Sequence, residues 1–122
     1  MKTFLISLVL LAALLFGVIW NYIYINEVFT SMNALLDAVP DIDDAGCNTA
    51  CVRLCEEWKK HTDRVGLSVC FNVLDRVSEQ ADLLSVSAAC GDRYGFEAAR
   101  TMLRDALEDM RRLERFSIGN LL

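Results

Sequence analysis

The sequence predicts an all-α protein: an N-terminal transmembrane helix continuing into a stalk, then a small antiparallel helical hairpin or bundle. Three observations predict it. Phe4 to Ile25 contains no charged residue. Beyond it, apolar residues recur at the three- and four-residue intervals of a helix face. Breaking residues gather at few places, Pro40 to Gly46, Gly66, and Gly91 to Gly95. The expected organisation is an anchor over 1–25, an amphipathic stalk over 26–39 and a helical domain over 40–122.

The first element is FLISLVLLAALLFGVIWNYIYI, whose only polar side chains are Ser7, Asn21, Tyr22 and Tyr24. A helix needs about 20 apolar residues to cross a bilayer core of about 30 Å, so this stretch is long enough. Lys2 marks one edge, and Trp20, Tyr22 and Tyr24 crowd the other as interfacial aromatics do. A cleaved signal peptide would need small residues after the apolar core. Ile19-Trp20-Asn21-Tyr22-Ile23 stand there instead, which favours an uncleaved anchor. No cysteine follows Leu11-Ala12-Ala13, so a lipoprotein acceptor is missing as well.

The downstream flank carries Glu27, Asp37, Asp41, Asp43 and Asp44, and the first basic residue after Lys2 is Arg53. The positive-inside rule then puts the N-terminus in the cytoplasm and the C-terminal domain outside the membrane. Lys2 aside, every charged residue lies beyond Ile25, with 17 acids in the whole chain against 12 bases. That acidic balance speaks against nucleic acid, which demands a basic footprint, and against an anionic lipid surface as a main partner.

Past the anchor, Val28, Phe29, Met32, Leu35, Leu36 and Val39 keep one helical stripe, so the first helix is expected over about Lys2 to Ala38. Core packing against the later helices explains the stripe more simply than a dimer seam. Pro40 ends the helix, because the residue before a proline disfavours helical angles. Asp41-Ile42-Asp43-Asp44-Ala45-Gly46 resembles the start of a calcium loop. It fails at Ala45 and Val52, where ligands are required, and reads better as an acidic cap for the next helix.

The second helical region opens near Cys47, with Cys51, Val52, Leu54, Cys55 and Trp58 on its apolar face. Cys47, Cys51 and Cys55 fall on one stripe at i, i+4 and i+8. They are the candidate metal ligands, with His61 as a distant fourth, because thiolates suit a soft metal. Buried cysteine packs as a small hydrophobe, which is the simpler account. Cys70 and Cys90 complete an odd set of five, leaving at least one thiol unpaired or bonded between chains. No CxxC occurs. A kink or short break is expected between His61 and Gly66, since an unbroken helix from Cys47 to Ala89 would outrun the final helix.

From there Val65, Val69, Val73, Val77, Ala81, Leu84 and Ala88 repeat, with Cys70 and Leu74 beside them. Gly91 to Gly95 is the expected turn. Phe96, Ala99, Leu103, Ala106, Met110 and Leu113 then mark a heptad-like seam. Phe116 to Leu122 reads as an apolar tail folding back onto the bundle. No phosphate loop, HExxH or GxSxG is present and the acids are spread along helix faces beside arginines, so no enzymatic activity and no cofactor is expected. His61, the single histidine, reads as a surface residue.

The layout resembles a family of short single-pass bacterial membrane proteins from clostridia-like, spore-forming lineages, catalogued only as a domain of unknown function. The resemblance lies in Met1-Lys2-Thr3-Phe4-Leu5-Ile6 before an apolar span ending in Trp20-Asn21, then Ile25-Asn26. It continues in Trp58-Lys59-Lys60-His61, Leu74-Asp75, Gly91-Asp92 and the ending Phe116-Ser117-Ile118-Gly119-Asn120-Leu121-Leu122. The chain departs from the family over Cys70 to Asn72, where a histidine is usual, and in its many cysteines. The resemblance implies a helical extracytoplasmic domain with no known activity, cofactor or catalytic residue.

The functional expectation is a non-enzymatic interaction or accessory module of the cell envelope. It would sit in the bilayer through its N-terminal helix and dock on another membrane protein or on itself. The alternative is a thiol- or metal-sensing envelope protein using Cys47, Cys51 and Cys55.

Overall fold

The computed structural model describes residues 1–65 and 71–121. The described residues form four α-helices: α1 over Lys2–Asp37, α2 over Cys47–Val65, α3 over Phe71–Cys90 and α4 over Arg93–Leu121. Each helix packs against two others, in the order α1, α2, α3, α4 and back to α1. The side-chain bonds give the directions. Trp58 and Cys55 of α2 meet Ser78 and Ala81 of α3, and Arg76 of α3 meets Asp109 of α4. Arg100 and Arg104 of α4 meet the end of α1, while Arg111, further along α4, lies over Phe29, earlier in α1. Neighbours therefore run antiparallel, the up-down-up-down arrangement of a four-helix bundle.

The two halves of α1 have different surroundings. Ile25, Val28, Phe29, Met32 and Leu36 are buried in the bundle core. The apolar half before them is exposed, and none of its most apolar stretch is buried. It is the one described helix long and apolar enough to cross a membrane. The stripe over Val28 to Val39 thus packs within the bundle rather than standing free.

Helix α1 ends at Asp37, short of Pro40. Its last carbonyls have no partner within the helix. Arg100 of α4 reaches across and donates to Leu36 O and Val39 O, at 3.4 and 3.1 Å. The acidic turn that follows is held by Arg93, which pairs with both Asp41 and Asp43. These carboxylates keep the Arg93 guanidinium firmly protonated, Asp41 contributing most. The acids therefore act across the bundle end, and only Asp44 bonds locally, accepting from the Gly46 amide.

The α3–α4 connection is shorter than the sequence suggests. Gly91 has φ +71°, the left-handed conformation that glycine adopts without steric cost. The Asp92 amide donates to Ser87 O and the Gly91 amide to Ala88 O, the paired bonds of a Schellman motif. Asp92 then caps α4, its carboxylate accepting from the Gly95 amide at 3.0 Å. One residue closes α3 and opens α4, so α4 begins at Arg93 and not at Phe96. A side chain at Gly95 would press on Asp92 Oδ2 at 2.6 Å, so the small residue leaves room for the cap.

Phe96, Ala99, Leu103, Ala106 and Met110 are buried as the seam requires, joined by Leu107. Leu113 is 44% exposed, against expectation. The backbone from 116 to 121 continues α4, so the ending is helical and is no folded-back tail. Val52 is also exposed, at 42%, because it lies a third of a turn away from the Cys51–Leu54–Trp58 stripe. The helix persists through His61 to Val65. The expected break at Gly66, with Val69 and Cys70, lies outside the described residues.

Candidate functional site where the first helix leaves the bundle

Among the described residues, two places gather the candidate chemistry-bearing side chains. The first is the cysteine stripe. Cys47 and Cys51 are fully buried and Cys55 partly so. Burial in the apolar core pushes the Cys51 thiol up to about 12, and the neighbouring Cys47 adds to the effect. Burial and the nearby Asp82 also raise Cys55, whose S–H donates to Ala81 O at 3.2 Å. A thiolate is the form that ligates metal and attacks disulfides, and this environment opposes it. Among the described residues no group of three or more His, Cys, Asp or Glu is placed to hold a metal ion. Cys90 stands apart, exposed at the end of α3.

The burial has a pH signature. The folded pKa of Cys51 lies above the ordinary thiol value of 9.0. The stability it contributes is therefore complete below pH 9 and is lost as the pH rises toward about 12. Between those limits the loss reaches at most about 1.4 kcal/mol per pH unit. Urea titrations in detergent at increasing alkaline pH measure it. Cys51→Ala is expected to flatten this part of the profile. Parallel profiles for the two proteins would refute a buried neutral thiol.

The second place lies where α1 emerges from the bundle, at the end of α2. Sequence reasoning placed His61 on the surface, yet its side chain is only 26% exposed. Its Nδ1 lies 2.8 Å from Tyr24 Oη, and its Nε2 lies 3.4 Å from Glu57 Oε1. In the neutral ring the tyrosine hydroxyl donates to Nδ1 and Nε2–H points to the carboxylate. In the protonated ring Nδ1–H donates to the tyrosine oxygen. Both states keep two bonds, because a hydroxyl both donates and accepts. Lys60 and then the hydrogen bonds from Lys60 and His61 hold the Glu57 carboxyl below its usual range.

Arg64, one turn beyond His61, lays its guanidinium over the Tyr24 ring, 3.8 Å from the centroid. With Trp20, Ile23 and Glu27 these two residues line a groove of about 200 Å³. Deeper in the core Trp58 Nε1 donates to Ser78 Oγ at 2.8 Å, satisfying a buried indole. Tyr24 was legible as an interfacial aromatic. Its partners were not, since 37 residues separate it from His61. No family model, curated protein or solved structure matches this chain.

Proposed function

We propose that the chain is a non-enzymatic, membrane-anchored helical module that docks on another membrane protein or on a second copy of itself. One observation carries the reading. A single unbroken helix is apolar with no buried residue in its first half and buries one face in a bundle core in its second. Exposed apolar surface on that scale calls for a lipid or protein covering. The N-terminus is cytoplasmic and the bundle extracytoplasmic, on the charge asymmetry about the span. This is the layout that the resembled bacterial family implies. The docking surface is the bundle's outer face, where Val52 and Val86 flank a shallow groove between α2 and α3 and Leu83 is 45% exposed.

Topology and docking are tested separately. A membrane-impermeant maleimide is expected to label intact cells at Cys90, and Cys90→Ser to lose that label. Labelling of Cys90 only after lysis would put the bundle in the cytoplasm. Crosslinking in intact cells is expected to trap a larger species that Val86→Asp diminishes, and recovery of monomer alone would count against docking. The thiol or metal reading has weaker support, because Cys47 and Cys51 are buried and burial raises the Cys51 and Cys55 thiols. Replacing Cys47, Cys51 and Cys55 together without change in metal content or thiol reactivity would end it.

A further inference from the structure

We propose that the groove between the emerging α1 and the end of α2 binds the headgroup of phosphatidylethanolamine, Arg64 holding the phosphate and Glu27 the ammonium. The proposal rests on the membrane-anchored reading. From Phe4 to Ile23 the exposed helix measures about 30 Å at 1.5 Å per residue, the thickness of a bilayer core. The groove at Trp20, Ile23, Tyr24, Glu27 and Arg64 therefore lies at headgroup level. Trp20 and Ile23, 57% and 50% exposed, lead down from it along the apolar helix, the path that acyl chains would take.

The chemistry of the lining selects among headgroups. Arg64 stacks on Tyr24, and His61 steadies the tyrosine. A stacked guanidinium keeps its N–H edges free, and that planar fork matches a phosphate. Among the described residues neither Arg64 nor Glu27 makes an ion pair, so each charge awaits a partner. Glu27 disfavours a purely anionic headgroup such as phosphatidylglycerol and accepts from a primary ammonium. The quaternary ammonium of phosphatidylcholine has no N–H to donate. The indole of Trp20 offers a cation–π face to the same ammonium.

Full-length protein is reconstituted in membranes with equal amounts of phosphatidylethanolamine, phosphatidylcholine and phosphatidylglycerol, and retained lipid is read by native mass spectrometry. Wild type is expected to retain phosphatidylethanolamine about tenfold over the other two. Arg64→Gln is expected to lose retention of all three, and Glu27→Gln to shift the preference toward phosphatidylglycerol. Circular dichroism checks that both variants fold. Retention in the proportions of the membrane, or wild-type selectivity in both variants, would overturn the proposal. Carbonate extraction separates the two readings. A chain stripped from membranes by carbonate defeats the anchor and this site together. A chain that stays but shows no headgroup preference defeats the site alone.

Discussion

Replacing Leu36 with alanine is expected to lower the unfolding free energy by about 2–5 kcal/mol, the range for deleting a buried leucine side chain. Leu36 has no exposed surface. It sits in the last turn of α1, and its own carbonyl accepts from Arg100. The cavity left there would border the cap that joins α1 to α4. Small domains have only about 5–15 kcal/mol in total, so the loss is a large share. Urea denaturation in detergent reads it. The paired control is Leu10→Ala in the same helix. Leu10 is 65% exposed, so this change should shift stability by less than about 0.5 kcal/mol. Equal small effects at both positions would mean that the second half of α1 is a peripheral stalk and not a bundle helix.

The second large effect is on membrane residence. Leu10 and Leu14 are one helical turn apart near the middle of the exposed span, at 65% and 61% exposure. An arginine at the centre of a membrane helix costs about 2.5–3.5 kcal/mol on insertion scales. Leu10→Arg with Leu14→Arg is therefore expected to cost about 5–7 kcal/mol of insertion free energy and to move much of the protein into the carbonate-extractable fraction. The bundle should still melt as wild type does, because neither leucine touches its core. A doubly substituted chain that remained fully membrane-integrated would show that this helix is not what holds the protein there.

The two substitutions separate the jobs that one helix performs. The part that the bundle covers is recognisable by periodicity, with apolar residues on one face. The part before it is apolar on every face, the pattern of a helix surrounded by hydrocarbon. The change of pattern near Ile25 coincides with the first buried residue of α1. The proposed headgroup groove lies at that boundary.

The helical class, the extent of α1 and the core positions Phe96 to Met110 were legible because each follows from a repeat of three or four residues. That signal is local and survives any tertiary arrangement. Its failures occur where a local pattern meets a non-local limit. Leu113 continues the seam on paper but is 44% exposed. Val52 looked like core by its type, and the stripe geometry turned it outward. Asp41 and Asp43 pair with Arg93, 52 and 50 residues away, a partner that no local pattern names. The α3–α4 turn shrank because the Asp92 backbone closes one helix while its side chain opens the next.

By itself, then, the sequence determined four helical stretches, an uncharged span long enough for a bilayer, and a chain without a recognisable catalytic motif. The core packing expected of the Val28–Val39 stripe and of Cys47 and Cys51 is what the structure has, and only the tertiary structure decided that Tyr24, His61 and Arg64 meet. The physical reason is one of range. Periodicity records which face of a helix is apolar, while the partner of each side chain depends on how helices far apart in the chain are set against one another. That register is fixed by the sum of all the contacts between them, and no single stretch of sequence carries it.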